Sequence, residues 1–234
     1  MTPVLKNITN NLVHLFFPHL CAGCGSDIID NKQTLCLHCN DQLPVTDFHM
    51  HANNPVEKIF WGRIPVVAAA SYLYFTKGSI LQHLLHQFKY KGNKEIGSFL
   101  GRQMGAAFMQ SNRFSQIDAL IALPLFHSKE RKRGYNQAAV LCEGFSAATG
   151  IPFLNNVVIR TLSTETQTHK NRIERWQNME ARFELKSETV ICNKRLLLLD
   201  DVVTTGATLE ACGHELLKAA GTQLNIATLA YTSQ

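Results

Sequence analysis

The most constraining feature of this chain is an apolar run that ends in two carboxylates and a hydroxyl-rich turn. Residues 196–199 are all leucine, and Asp200, Asp201 and a segment at 204–208 that contains Gly206 follow them. A short apolar run bounded by turn residues predicts a strand buried on both faces of a parallel sheet. Because open α/β sheets bind ligands at the carboxyl ends of their strands, the two aspartates are candidate binding residues.

The turn after these carboxylates has the composition of a phosphate-binding loop. Gly206 tolerates the positive φ that a concave run of backbone N–H groups requires, and the threonines around it add hydroxyl donors. A helix beginning near Thr208 would direct its positive amino-terminal end at an anion. Since like charges repel, the carboxylates suit ribose hydroxyls or a nearby magnesium ion. The alternative is an Asp-rich turn before a threonine-capped helix, which explains each residue singly but not their order.

This ordered segment resembles the phosphoribosyl pyrophosphate (PRPP) motif of type I phosphoribosyltransferases. The resemblance implies that Asp200 and Asp201 are the catalytic candidates, contacting the ribose 2′ and 3′ hydroxyls, and that Mg²⁺ is bound with PRPP. It also implies that the next residues hold the 5′-phosphate. These residues are Val203, Thr204, Thr205, Gly206, Ala207 and Thr208.

Four of the seven cysteines form two Cys-x-x-Cys pairs, Cys21 with Cys24 and Cys36 with Cys39. Two such pairs separated by a short insert predict a four-thiolate zinc site with a structural role. The metal would stabilise a unit that is too small to fold by apolar burial alone. The alternatives are a redox centre or disulfides, which the matched pairs and a reducing cytosol disfavour.

The composition limits the compartment and the class of partner. The chain carries 23 basic and 18 acidic residues, a net charge of +5, which is compatible with phosphate-rich ligands or nucleic acid and requires neither. Its apolar stretches are shorter than the ~20 residues of a membrane span, so we expect no membrane insertion. The amino terminus lacks the pattern of a secretory signal, and we therefore expect a cytoplasmic protein.

The order of predicted elements divides the chain into a small head and a larger body. We expect an amino-terminal helix and the zinc-binding head at 1–45, a polar linker or long loop at 46–65, and an α/β domain at 66–234. In the last of these, strand patterns alternate with helical patterns, which predicts a parallel sheet. The predicted strands lie at 66–75, 117–123, 157–159, 196–199 and 224–229, and the predicted helices at 80–88, 96–108, 135–149 and from 208 to 221.

Three basic segments are further candidates for anion binding. The first contains Lys89 and Lys91 after a predicted helix, where a capped helix end is the alternative. The second, at 128–137, follows a predicted strand; it suits a pyrophosphate, or else it is a solvated basic turn. The third, at 160–178, has the composition of a mobile flap or of a solvated helix face. The candidate residues of the second and third segments are Arg131, Arg133, Gly134, Gln167 and Arg172.

Taken in order, these motifs resemble the competence ComF family, which includes ComFC-like and GntX-like proteins, over residues 21–229. The resemblance implies a phosphoribosyltransferase-type, Rossmann-like core with a zinc head, a pyrophosphate site at the Arg133 segment and a flexible hood at 167–178. Two positions depart from the family pattern: Tyr135 stands for the usual Phe, and Phe126 stands where many members have His.

The resemblance implies a PRPP-binding protein linked to DNA uptake, natural transformation or related metabolism. Transfer of the phosphoribosyl group to an acceptor, a glycosyltransferase reaction, is the first hypothesis, and the residues name no acceptor. The second hypothesis is a non-catalytic PRPP or nucleotide sensor. The third is a competence accessory protein that meets single-stranded DNA and a helicase through its zinc head. The oligomeric state is not predicted.

Overall fold

The computed structural model describes residues 19–30, 33–162 and 181–232. Its central element is a four-stranded parallel sheet in the order β1-β6-β5-β2, and β3 and β4 form a separate antiparallel pair. In chain order the strands are β1 (Ala68–Tyr74), β2 (Ala119–Ala122), β3 (Val158–Leu162), β4 (Ala181–Leu185), β5 (Arg195–Val203) and β6 (Gln223–Tyr231).

Helices connect and cover these strands, and several begin at side chains that satisfy free backbone N–H groups. Asn54 accepts from two N–H groups at the start of α2, and Ser79 and Asn136 cap α3 and α6 in the same way. A 3₁₀ helix spans Phe48–Met50. The α-helices are α1 (Leu37–Asp41), α2 (Pro55–Phe60), α3 (Ile80–Tyr90), α4 (Lys94–Phe108), α5 (His127–Arg133), α6 (Gln137–Thr149) and α7 (Ala207–Leu216).

The core centres on the two inner strands, β5 and β6. The four leucines at 196–199 are fully buried, as a strand covered on both faces requires. The strand β5 pairs in parallel with β2 on one side and with β6 on the other, so its carboxyl end lies in the middle of the sheet edge. The predicted α/β fold class with a parallel sheet is therefore confirmed.

The segment at 46–65 differs from the predicted linker or long loop. It contains the 3₁₀ helix and α2, and Phe48, Val56, Phe60 and Ile64 are buried in the core. The polar residues that indicated a loop are in part helix-start signals, because the Asn cap precedes a proline at the first helical position. The boundaries of head, linker and body remain a prediction.

The strand predicted at 157–159 lies outside the main sheet. It forms β3, which pairs with β4 rather than with the main sheet. The edge of the main sheet next to β2 is instead extended by a single parallel bridge between Leu120 and Phe153.

The cysteine-containing segment packs directly on the body. Gln87 on α3 donates a hydrogen bond from Nε2 to the Ala22 carbonyl oxygen at 2.7 Å, and Gln103 on α4 donates to Asn40 Oδ1 at 3.3 Å. Cys21 is buried in the same apolar core as the sheet. Within the part of the chain that the structure describes, no helix has the length and apolarity needed to cross a membrane.

Candidate functional site

The acidic pair lies in the last part of β5, at the carboxyl edge of the sheet. Asp200 pairs with Thr228 of β6, and the strand continues to Val203 before the turn begins. Asp201 forms an ion pair with Lys89 at the end of α3, with 2.8 Å between Oδ2 and Nζ. The Asp201 backbone N–H donates to Asp200 Oδ1 at 2.8 Å. The two neighbouring carboxylates therefore have different partners.

The surroundings of Asp200 disfavour its charged form on balance. Burial and the neighbouring Asp201 raise the pKa of the Asp200 carboxyl to about 8, although the Asp201 N–H, Lys89 and Arg160 oppose the shift. A carboxyl with a raised pKa keeps its proton to a higher pH, and the protonated form can donate a hydrogen bond to a sugar hydroxyl as well as accept one.

The turn after β5 forms the concave loop that the sequence predicts. Gly206 has φ of 72° and precedes the first turn of α7, where it has no side chain to occupy the free helical N–H groups. Thr204 and Thr205 are exposed beside it, and a small cavity of about 50 Å³ is lined by Asp200 and residues 202–209. The loop therefore presents backbone donors, hydroxyl groups and a helix amino terminus to one space.

Arg63 also contacts this loop, although no sequence motif indicated a role for it. Its Nη1 donates to the Thr205 carbonyl oxygen at 2.7 Å, and its Nη2 forms an ion pair with Glu210 on α7. The contact spans 142 residues of sequence, so no local pattern could have indicated it.

Cationic side chains surround the acidic pair in a cavity of about 160 Å³. Four basic and two acidic residues line this cavity, which gives it an excess of positive charge and suits a polyanion bound beside a sugar. Arg133 donates to Gln137 Oε1 at 2.7 Å, which fixes its guanidinium at the rim. The charged lining residues are Lys89, Lys129, Arg133, Arg160, Asp200 and Asp201.

The structure brings together only part of the predicted set. Lys91 and Arg131 are exposed and do not line this cavity, and Gly134 lines a larger neighbouring cavity of about 510 Å³. Gln167 and Arg172 lie outside the described residues. Conversely, Lys129 and Arg160 line the acidic pair's cavity, although the sequence indicated them only as members of basic segments.

The polar residues after Gly134 have largely structural partners. Tyr135 is buried and donates from its hydroxyl group to the Phe88 carbonyl oxygen. Asn136 donates to the Leu123 carbonyl oxygen at 3.0 Å and accepts from the Ala138 N–H, so it joins the end of β2 to the start of α6. This segment therefore holds the cationic residues of α5 in place at the cavity.

The four predicted cysteine ligands form one cluster. The Sγ atoms of Cys21, Cys24, Cys36 and Cys39 all lie within 4.8 Å of one another, and those of Cys24 and Cys36 are 3.8 Å apart. A tetrahedral zinc ion with Zn–S bonds of about 2.3 Å requires sulfur separations of about 3.8 Å, so the cluster can hold a metal ion such as zinc.

Backbone geometry favours a thiolate in this cluster. Burial alone would raise the pKa of the Cys21 thiol, but backbone N–H groups of Cys24, Cys36 and Gly23 outweigh it and lower the pKa to about 6. Burial and the neighbouring cysteines raise the pKa of Cys39. None of the seven cysteines, all of which lie in the described residues, forms a disulfide that would compete for the ligands.

Comparison with curated proteins finds relatives along most of the chain. It is 30% identical over 223 residues to competence protein F of Haemophilus influenzae, covering 93% of each chain. It is 30% identical over 203 residues to the DNA utilization protein YhgH of Shigella flexneri, covering 85% of this chain and 84% of that protein. It is also 28% identical to competence protein ComFC of Bacillus subtilis, over 62% of this chain and 56% of that protein. No family model matches the chain.

The chain is less similar to solved structures than to these curated relatives. A glutamine PRPP amidotransferase of B. subtilis, complexed with ADP and GMP, superposes with a TM-score of 0.41 and 16% identity over 62% of this chain and 30% of that enzyme. A hypoxanthine phosphoribosyltransferase of Staphylococcus aureus gives a TM-score of 0.37 and 17% identity, covering 61% of this chain and 69% of that enzyme. Similarities this low carry no conclusion about the chain.

Proposed function

We propose that this chain, which belongs to the family of competence protein F and the DNA utilization protein YhgH, binds PRPP with Mg²⁺ and serves DNA uptake or use in the cytoplasm. One observation carries the proposal. The acidic pair, a phosphate-sized loop and a cluster of cations converge at the carboxyl end of β5, where a parallel sheet binds its ligand.

Each part of PRPP has a matching group in this arrangement. Asp200 and Asp201 face the ribose hydroxyls, and the loop from Val203 to Thr208 binds the 5′-phosphate through N–H and hydroxyl donors. Lys89, Lys129 and Arg133 neutralise the pyrophosphate. Mg²⁺ bound with the pyrophosphate would supply additional positive charge at the leaving group.

The reaction that this arrangement suits is transfer of the phosphoribosyl group to an acceptor. Breaking the bond between C1 and pyrophosphate leaves an oxocarbenium-like centre, and the Asp201 carboxylate stabilises its positive charge. The basic residues stabilise the negative charge that develops on pyrophosphate. In this proposal the chain supplies positioning and charge rather than a covalent intermediate.

The four clustered thiolates hold a structural zinc ion in this proposal. Four sulfur ligands would complete the tetrahedral coordination that is typical of a structural zinc site. The metal would join the two Cys-x-x-Cys pairs, which lie on either side of residues 25–35.

Calorimetric titration of the purified protein with PRPP and Mg²⁺ tests the binding proposal. We expect Asp201→Asn to weaken PRPP binding by about 1.5–3 kcal/mol, because each charge-assisted hydrogen bond to the ribose contributes about that much. Glu184→Gln is the matched control. Glu184 is an exposed carboxylate on β4, and it does not line the cavity of the acidic pair. Equal PRPP affinity in Asp201→Asn and wild type would contradict the contact between Asp201 and the ribose hydroxyls.

Release of pyrophosphate distinguishes a transferase from a sensor. A transferase releases pyrophosphate from PRPP when it is supplied with an acceptor, and Asp201→Asn should abolish that release. Tight PRPP binding with no release for any purine, pyrimidine or amine acceptor would instead favour the non-catalytic sensor.

Binding of single-stranded DNA is a second candidate function. The names of the relatives favour it, as do Lys91, Arg131 and Lys132, which are exposed outside the cavity of the acidic pair. Replacing these three residues by glutamine should weaken DNA binding and flatten its salt dependence, while PRPP affinity is retained. Unchanged DNA affinity in the triple variant would exclude this surface as the DNA-binding site. Binding of a helicase stays a prediction.

A further inference from the structure

The guanidinium group of Arg160 on β3 lies close to two aromatic rings. Its guanidinium carbon lies 3.9 Å from the ring centroid of Phe126, in the loop after β2, and 5.3 Å from that of Phe183 on β4. Guanidinium groups stack on aromatic faces, and a planar group held in this way is restricted to a narrow range of orientations. Two elements that are separate from the main sheet thus fix one cationic side chain of the site.

The guanidinium has a hydrogen-bond donor without a partner. Arg160 Nε is buried and makes no hydrogen bond to any residue that the structure describes. Burial lowers the pKa of Arg160, while the charge of Asp200 raises it. Buried donors are almost always satisfied in folded proteins, so an unsatisfied one beside a cavity indicates a place where a ligand supplies the acceptor.

Two of the other three cations of the cavity already have partners, and the third, Lys129, is exposed. Lys89 is paired with Asp201, and Arg133 donates to Gln137. Arg160 lines both the cavity of the acidic pair and the larger cavity of about 510 Å³ next to it. A ligand oxygen bound between the two cavities would therefore lie beside the Arg160 side chain.

We propose that Arg160, clamped by Phe126 and Phe183, is an oxyanion-binding residue of this site and takes the pyrophosphate part of PRPP. The inference rests on the proposed function, because it assumes that the neighbouring acidic pair binds the ribose. The planar guanidinium offers two parallel donors to one phosphate group, which a lysine cannot do. Occupancy by the anion would also connect the β3–β4 pair to the main sheet through one side chain.

Titration of the full chain with two fragments of PRPP tests this residue. Inorganic pyrophosphate with Mg²⁺ probes the anion subsite, and ribose 5-phosphate probes the acidic pair and the loop. We expect Arg160→Gln to weaken pyrophosphate binding at least about 10-fold and to change ribose 5-phosphate binding less than about 2-fold. Arg102→Gln on the exposed side of α4 is the charge-matched control and should change neither affinity.

Variants of Phe126 test the contact between the aromatic ring and Arg160 separately. Phe126→Leu removes the ring and should weaken pyrophosphate binding, whereas Phe126→Tyr keeps the ring and should retain it. In the double variant with Arg160→Gln, Phe126→Leu should cause no further loss, because the ring acts through the guanidinium. Circular dichroism and the midpoint of unfolding for each variant verify that it is folded.

The outcomes separate this inference from the proposed function. If the wild type binds neither PRPP nor pyrophosphate, the proposed function fails and the inference fails with it. If the wild type binds PRPP and folded Arg160→Gln binds pyrophosphate as tightly, only the assignment of Arg160 is overturned. An equal loss for pyrophosphate and ribose 5-phosphate would also overturn it, because that result indicates a general structural role.

Discussion

At the scale of single residues, the two adjacent aspartates differ in the groups that surround their carboxyl groups. Asp201 meets the ammonium group of Lys89, while Asp200 lies where burial and its neighbour raise its pKa to about 8. Pairs of titratable groups in such different environments are typical of sites that bind or transform polar ligands. The repeated aspartate in the sequence indicated a site, but the division of roles depends on which element packs against each carboxyl group.

The raised pKa of Asp200 predicts how stability depends on pH. The folded carboxyl binds its proton more tightly than the unfolded one, whose pKa is about 3.9, so stability falls as pH rises from roughly 4 to roughly 8. Asp200→Asn has no charge to bury. Its free energy of unfolding should therefore exceed that of the wild type at pH 9 by at least about 1 kcal/mol.

Urea unfolding at pH 5, 7 and 9 measures this difference, with Glu184→Gln as the exposed control. The gap between Asp200→Asn and wild type should widen with increasing pH. A gap that is constant over the three pH values would show that Asp200 is an ordinary ionised carboxylate in the folded protein.

At the scale of elements, the contact between α4 and α6 positions the cationic side of the site. Glycines let the two backbones touch: a Cβ atom at Gly144 would clash with the Ser98 carbonyl oxygen, and one at Gly101 would clash with that of Leu141. The helix α6 begins at the Asn136 cap, directly after Gly134 and the basic residues of α5. Separating the helices would therefore also move the rim of the cavity.

Gly144→Ala tests this packing. Alanine favours a helix over glycine by about 1 kcal/mol, yet we expect a net loss of about 1–3 kcal/mol of stability because the added methyl group forces the backbones apart. Ala148→Ser, at an exposed position of the same helix, should stay within about 0.5 kcal/mol of wild type. Chemical unfolding measures both variants, and a more stable Gly144→Ala protein would contradict the close approach.

At the scale of the whole molecule, the cysteine cluster is part of the main core rather than an appendage. Cys21 and Cys39 are buried in it, and a side chain at Gly23 would collide with Ile80 of α3. Removal of a metal ion from the cluster should therefore loosen the contact with α3, the helix that carries Lys89.

Metal removal tests this connection. We expect the purified protein to contain about one zinc ion per chain by elemental analysis, and a chelator to lower the midpoint of thermal unfolding by several degrees. Cys36→Ser should lower both the zinc content and the midpoint, whereas Cys192→Ser, outside the cluster, should keep the metal. A metal-free protein with an unchanged midpoint would exclude a structural metal.

The sequence by itself determined those features that depend on neighbours along the chain. The buried leucine strand, the acidic pair, the glycine turn before α7 and the paired cysteines all follow from local periodicity and spacing, as do most helices of the body. Local patterns did not reveal the helices within 46–65, since short polar segments look alike whether they cap helices or form loops.

Only the tertiary structure decided which of these groups meet. The pairing of Lys89 with Asp201, the support of Thr205 by Arg63 and the clamp around Arg160 join residues that are far apart in sequence. Parallel strands place the carboxyl ends of distant segments at one edge, and burial there raises the pKa of Asp200. These contacts leave no periodic trace in the sequence, because they arise from the packing of whole elements and not from the spacing of residues.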